Sequence, residues 1–367
     1  MQLRRLGLIN YRNYESVNLE FTSKINVLVG VNGSGKTNLL DAIYYLSYTK
    51  SSLQPVDPLN IRHGQDHFLI QGAFEMAEGA AILTAAFQPG ARKSIKENGA
   101  EYRKLSDHIG SYPVVLMAPD DVDIIREGSE TRRKFFDGLI SQIDREYLEN
   151  LMGYNQLLKQ RNGLLRLFHQ TGLRDWVALE SYDHMLAVPG QRIYEKRKLF
   201  MDRFIPVFNR YFEFLVKGIE SASVTYVSGL DETDTIAGCQ RFRERDLALQ
   251  RTGFGIHKDD YRFLLGSEDM KKFASQGQQK TMVIALRLAQ WELIREEKGF
   301  RPVLLLDDIF DKLDDYRIER LLELVKNEFG QLFVTDARPG RTADLLRKIN
   351  ASVSVFTVDD GKIDLTQ

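Results

Sequence analysis

Residues 30–37 read Gly30-Val-Asn-Gly-Ser-Gly-Lys-Thr37. Two glycines stand five positions apart, and the second is followed by Lys and Thr. Ile25–Val29, apolar except for Asn26, precedes the stretch as a buried strand, and residues 39–46 follow it with helical spacing. A strand, a glycine-rich loop and a helix start together form a phosphate-binding loop. Glycines let backbone N–H groups converge on phosphate oxygens, and the helix N-terminus adds a favourable dipole. Lys36 is expected to reach the β- and γ-phosphates, and the Thr37 hydroxyl to ligate magnesium. Gly30, Asn32, Gly33, Ser34, Gly35 and Asn38 complete the expected cradle for ATP.

A second anchor lies far downstream. Val303–Leu306 is an apolar strand that ends in Asp307-Asp308. An Asp at such a strand end holds magnesium in phosphate-loop ATPases, which suits Asp307. Asp308 is then placed to orient or deprotonate an attacking water. Thr37 and Asp307 stand 270 residues apart. Small GTPases and kinases do not divide their site in this way, but ABC-type ATPases do.

ABC-type ATPases also carry a signature shortly before the acidic strand. Here that place holds Ser275-Gln-Gly-Gln-Gln-Lys280, a polar run leading into an apolar helix. Met282, Ala285, Leu286, Ala289 and Leu293 fall on one helix face. Ser275 is then an N-cap or near-cap residue, and Gly277 lets an anion approach the backbone. Ser275, Gly277 and Gln278 join the expected nucleotide-contacting set. Read alone, the run is a capped helix with a solvated first turn.

The 367 residues allow one large or two ordinary domains, and 43% are hydrophobic, so a sizeable core is available. The single cysteine, Cys239, excludes an internal disulfide and a cysteine-rich zinc site. Residues 1–15 lack the apolar run of a signal peptide, and no stretch approaches the ~20 apolar residues of a membrane span. The expectation is a cytoplasmic protein without a membrane partner. The formal net charge is -1, so any DNA contact must be local or assembled between subunits.

Further strands are expected at 67–74, 81–87, 93–104 (a hairpin turning at Asn98-Gly99), Val114–Met117, Ala222–Val227, 261–265 and 332–335, with a last hairpin at Asp359-Asp360-Gly361. Between them the texture turns helical, as in the series Leu139, Ile143, Tyr147, Leu151. Residues 126–217 hold 16 Lys and Arg against 12 Asp and Glu, an excess of four positive charges. No sustained heptad register is present, so no long coiled coil is expected. The expected fold is α/β: an ABC-type ATPase head from residues 1–119 and 220–367, with the signature region near 271–295 free to pack with a second lobe. Residues 120–219 form the inserted helical lobe, and the termini should meet in a single sheet.

Several further stretches carry a family resemblance. They are Asn10-Tyr-Arg-Asn-Tyr14, residues 30–40, Ala118-Pro-Asp-Asp121, Gly128-Ser129 with Arg132, Arg133 and Asp137, Gly255-Ile-His-Lys-Asp-Asp260, the Ser275 run and Asp307-Asp308. Over nearly its full length the chain resembles the RecF family, in the SMC-like group of ABC-type ATPases. That family usually has Pro and Arg where Ile256 and Lys258 stand. The resemblance implies an ATP-gated dimeric clamp on DNA, acting with RecO and RecR, and indirectly RecA, at single-stranded gaps. It implies weak, DNA-stimulated, magnesium-dependent ATP hydrolysis. Ser275 and Gly277 of one subunit would touch the γ-phosphate held by another, and Arg12 or Asn13 would contact the nucleotide. Residues 311–314 resemble the D-loop, and Thr335-Asp336 takes the switch position. Two other readings are an ATPase subunit of a transporter and an ATP-dependent nuclease. The Gln and His typical of transporters are absent at residues 118–121 and 335–336, and only about 30 residues follow Thr335 for a nuclease domain. Arg132, Arg133, Arg161 and Arg197 read individually as solvated helix faces, although two basic lobes brought together would make an electrostatic groove; His257 reads either as a turn residue satisfied by a carboxylate or as a direct functional contact.

Overall fold

The computed structural model describes residues 1–77, 79–216, 220–310, 313–337 and 352–366. The chain begins with an antiparallel pair, β1 (Gln2–Tyr11) and β2 (Tyr14–Glu20), closed by the tight turn at Arg12 and Asn13. β3 (Ile25–Val29) follows, then α1 (Lys36–Tyr48), β4 (Phe68–Met76), β5 (Gly79–Phe87), β6 (Ser94–Glu97), β7 (Ala100–Glu101) and β8 (Val114–Met117). A helical stretch comprises α2 (Asp123–Arg126), α3 (Ser129–Ile143), α4 (Arg145–Thr171) and α5 (Trp176–Leu215). Next are β9 (Ala222–Val227), α6 (Thr235–Leu249), β10 (Asp260–Leu265), β11 (Glu268–Asp269), α7 (Met270–Phe273) and α8 (Gln276–Lys298). The chain continues with β12 (Val303–Leu306), α9 (Asp315–Asn327), β13 (Leu332–Asp336), β14 (Val353–Asp359) and β15 (Lys362–Leu365).

The chain divides into two compact units. The first comprises residues 1–121, 214–216 and 286–367, and it holds two sheets. One is antiparallel, in the order β2-β1-β4-β5-β6-β7. The other runs β15-β14-β3-β13-β12-β8, parallel except for β15. β3, β8, β12 and β13 are buried at every position, as strands of a covered parallel sheet should be, and they are apolar except for Asn26, Thr335 and Asp336. Leu39, Ile43 and Leu46 of α1 share one core with Leu3, Leu6 and Ile70 of the first sheet and Leu28, Leu305 and Phe333 of the second. The terminal strands do not meet in one sheet as expected. β1 belongs to the antiparallel sheet and β15 to the parallel one, because the chain leaves the first sheet at β2 to start β3.

The second unit comprises residues 122–213 and 217–285. Residues 220–285, which the sequence assigns to the head, are grouped here with the helices; the short sheet β11-β10-β9 is part of them. The series Leu139, Ile143, Tyr147, Leu151 is not one helix. It crosses a break at Asp144, whose side chain accepts from Tyr147 N at 2.9 Å and caps α4. α5 carries Phe200, Phe204, Phe208 and Phe212, one turn apart, with ring centroids 5.7, 6.2 and 5.9 Å apart in succession.

Charge is also buried in this unit. Arg161 is 0% exposed and bonds Asp183 and Asp246, each at 2.7 Å. Arg197 is 1% exposed and bonds Asp259 at 2.7 Å, Asp137 at 2.8 Å and the Ile256 carbonyl at 2.9 Å. Arg132 grips Asp260 through two bonds of 2.7 and 3.1 Å, and Arg133 donates to the Asp259 carbonyl at 2.6 Å. The reading of these four arginines as solvated faces is therefore corrected: carboxylates claim Arg132, Arg161 and Arg197, and the Asp259 carbonyl and the Ser129 hydroxyl claim Arg133. Removing one partner of a buried pair strands the other charge. Arg197→Ala is expected to cost about 3–5 kcal/mol, read as a lower urea midpoint for the second unit's transition. An unchanged midpoint would show that the cluster does not hold the unit together.

Candidate nucleotide-binding site

Parallel pairing of β3, β8, β12, β13 and β14 brings their carboxyl ends to one edge, where open α/β sheets bind ligands. The loop after β3 is held open by its glycines. Gly33 and Gly35 have φ of 85° and 119°, which favours glycine. A Cβ on Gly30 would come 2.2 Å from the Val358 carbonyl oxygen. Gly35 is the N-cap of α1, no side chain caps that helix, and no acid sits in its first turn. Its leading N–H groups are thus open to an anion. The Lys36 ammonium donates to the carbonyls of Gly30 at 2.7 Å and Val31 at 3.0 Å, so it is held inside the loop. The buried Ser34 hydroxyl has no partner among the described residues. An uncapped helix, a buried ammonium and an orphan hydroxyl fit a polyphosphate. Asn32 lies exposed at the loop's crest.

The acidic end of β12 meets this loop. The Thr37 hydroxyl lies 3.0 and 3.1 Å from the two carboxylate oxygens of Asp307. Thr335, at the end of β13, donates its hydroxyl to Asp307 at 2.8 Å and accepts from the Asp308 N–H at 2.8 Å. Burial pushes the Asp307 carboxyl above the usual range; the hydroxyls of Thr335 and Thr37 oppose this, Asp308 adds to it, and Lys36 opposes it. Asp308 turns the chain at once, with φ of 49°. Hydroxyl and carboxylate oxygens suit a hard dication such as magnesium, with phosphate and water completing its shell. Among the described residues no group of three or more His, Cys, Asp or Glu is placed to hold a metal.

Flanking residues brace the loop. Asn13 donates to the Ser34 carbonyl at 3.0 Å and accepts from Asn38 at 2.8 Å, and the Tyr14 hydroxyl donates to the Gly35 carbonyl at 2.9 Å. The Gly361 N–H, in the turn between β14 and β15, donates to the Ser34 carbonyl at 3.2 Å. Arg12 is employed differently. Its guanidinium donates to Ser51 at 2.9 Å and lies 3.5 Å from buried Asp41. The sequence reading missed Tyr14 and Gly361 as bracing groups; the tyrosine stood inside a recognised stretch, and the glycine looked like an ordinary turn.

The signature run is a reciprocal helix cap. The Ser275 hydroxyl accepts from Gln278 N at 3.3 Å, and the Gln278 side-chain oxygen accepts from Ser275 N at 2.7 Å. Ser275, Gln276 and Gly277 are exposed, and a Cβ on Gly277 would meet only the Ser275 hydroxyl oxygen, at 4.0 Å. Beyond them α8 is buried on more than one face. Val283, Leu288, Trp291 and Ile294 are covered, as well as the expected Met282, Ala285, Leu286, Ala289 and Leu293. In the D-loop stretch, Asp311 and Lys312 lie outside the described residues, while Asp314 caps α9 by accepting from Arg317 N at 2.9 Å.

A family model described as RecF/RecN/SMC N terminal domain matches residues 2–101. The DNA replication and repair protein RecF of Flavobacterium johnsoniae is 44% identical over 359 residues, covering 98% of this chain and 100% of the relative. That of Cytophaga hutchinsonii is 42% identical over 366 residues, covering 99% and 97%. The chain belongs to the RecF family. The solved structure of the recombination mediator protein RecF with ATP, in the RecFOR pathway, matches with a TM-score of 0.90 at 28% identity, covering 100% of this chain and 97% of that one. An Smc head domain from Pyrococcus furiosus, bound to the C-terminal domain of ScpA, shares the fold, with a TM-score of 0.57 at 20% identity over 99% of this chain and 95% of that one. The α/β, ABC-type head without a long coiled coil, expected from sequence, is the fold found.

The late RecF-family stretch, residues 255–260, proves to be internal scaffolding. Gly255 has φ of 123°, and a Cβ there would lie 2.4 Å from the Tyr154 hydroxyl. His257 donates from Nε2 to the Thr252 carbonyl at 3.0 Å, and its Nδ1 accepts from Tyr154 at 2.8 Å. Among the described residues no carboxylate bonds it, against the carboxylate-satisfied reading, and burial pushes its pKa down to about 4. A histidine whose folded pKa is depressed gives stability that is present above its unfolded value, near 6.5, and is lost as pH falls towards the folded one. Between pH 6.5 and 4 the protein should lose about 3 kcal/mol through this group, and His257→Gln should flatten that slope in urea titrations. Parallel slopes for the two proteins would remove His257 from the acid sensitivity.

Proposed function

We propose that the chain is an ATP-dependent, DNA-binding recombination mediator. The reading is carried by the contact of Thr37 with Asp307, which joins the phosphate loop to the acidic strand. ATP lies on Gly30, Asn32, Gly33, Ser34, Gly35, Lys36, Thr37 and Asn38, with Thr37 and Asp307 as magnesium ligands. Bound magnesium would supply charge neutralisation at the β- and γ-phosphates. Lys36 swings from its loop carbonyls to the phosphates, and Asn13 keeps the Ser34 carbonyl turned away from them. Asp308 positions the attacking water, while Thr335 fixes its backbone and orients Asp307. Ser275 and Gly277 of a second copy face the γ-phosphate, so ATP joins two chains into a clamp. Names and pathway of the similar proteins support DNA, RecO and RecR as partners, with RecA served indirectly at gaps and stalled forks. Protein without a membrane-crossing helix among its described residues suits the cytoplasm. Since the paired arginines are engaged, phosphate contacts fall to exposed cations such as Lys159, Arg166, Arg174 and Arg192. The full-length relatives give no support to a transporter subunit or a nuclease.

Two substitutions test the clamp. Lys36→Ala should abolish ATP binding in equilibrium titration. Ser275→Arg should leave ATP binding by the monomer intact, but block ATP-dependent dimerisation in sedimentation and lose ATP-stimulated DNA binding. Normal dimerisation of Ser275→Arg would end the trans-signature reading.

Hydrolysis should be slow. Asp308 is one methylene shorter than the Glu common in ABC enzymes, so the water is held less closely. Turnover with magnesium and saturating DNA should stay far below about 100 per second, and Asp307→Asn should reduce it further. A motor-like rate would contradict a timing role.

A further inference from the structure

The signature turn is steered by a carboxylate outside the motif. Gln278 spends both ends of its amide. Its oxygen accepts from Ser275 N at 2.7 Å, and its NH2 donates to the Glu220 carboxylate at 2.9 Å. An ionised carboxylate only accepts, so it selects the amide's NH2 face and leaves the oxygen for Ser275. The Ser275 hydroxyl accepts from Gln278 N at 3.3 Å, so its lone pair is engaged with the helix and its own proton is left to donate elsewhere. Glu220 is itself held in place, because the next residue, Ser221, accepts at its carbonyl from Gly266 N at 2.8 Å, beside the β10–β11 turn. The other side of the turn is tied as well. Arg126 donates to Gln279 at 2.8 Å, and Gln279 donates to the Ala274 carbonyl at 3.3 Å.

We infer that Glu220 is a positioning residue for trans nucleotide engagement: through Gln278 it sets the direction of the Ser275 hydroxyl that a second copy's ATP meets. This deepens the clamp reading and rests on it. Lysine at this position offers only donors, so Glu220→Lys selects the opposite amide face and sets NH2 against the Ser275 N–H. ATP-dependent dimerisation, by sedimentation of the full chain, should weaken about tenfold, while ATP affinity of the monomer and the melting temperature stay near wild type. One rescue separates positioning from bulk structure. Glu220→Gln retains an acceptor for Gln278 and should dimerise nearly as wild type. Wild-type dimerisation by Glu220→Lys, alongside failure of Ser275→Arg, would overturn the role of Glu220 and leave the clamp standing. Glu220→Gln dimerising as poorly as Glu220→Lys would also overturn it. Normal dimerisation by both Glu220→Lys and Ser275→Arg would remove the clamp reading itself.

Discussion

Everything at the nucleotide edge depends on one short contact, the Thr37 hydroxyl against the Asp307 carboxylate. The contact exists because β3 and β12 are both neighbours of β13, so their carboxyl ends lie one strand apart. Thr335, on the strand between, completes the row by bonding Asp307 and the Asp308 N–H. Burial disfavours the charged form of Asp307, and Asp308 beside it adds like-charge repulsion. A carboxylate kept in that state is poised for a dication, and its strain is borne by the buried apolar strands behind it.

Local pattern made much of this legible. Apolar runs marked β8 and β12, a run broken only by Asn26 marked β3, and the Asn-Gly pair marked the β6–β7 turn, where Asn98 and Gly99 take φ of 49° and 84°. The phosphate loop and acidic strand were readable because glycine, lysine and aspartate are needed there for reasons of backbone space and charge. What stayed hidden depends on partners distant in the chain. Nothing near Arg197 announces that Asp137 and Asp259 will enclose it, so its charge looked like surface charge. The series from Leu139 to Leu151 kept helical spacing across a break, since capping by Asp144 restarts the same apolar face. Arg12 and Asn13 are adjacent in sequence yet serve different elements, one the Ser51 loop and the other the phosphate loop.

The second unit encloses ionic contacts among buried apolar residues such as Phe136, Leu139, Phe204 and Phe208. Buried pairs seldom add net stability over apolar replacements, but they penalise any arrangement that leaves a charge alone. Arg132, Arg133 and Arg197 all converge on Asp259, Asp260 or Asp137, which joins α3, α5 and the β10 strand in a single geometry. Such a framework gives the signature turn a fixed base, with Glu220, Arg126 and Gln279 as its last links.

The position of β3 has a consequence for biosynthesis. Its two neighbours are β13 and β14, which enter the chain some 300 residues later. At about 5–20 residues per second, the ribosome leaves this apolar strand without its partners for roughly 15–60 s. The Gly361 N–H, which supports the Ser34 carbonyl, arrives later still. A nascent chain therefore has no finished nucleotide loop until Gly361 has been added, and β3 waits without its sheet neighbours throughout that interval.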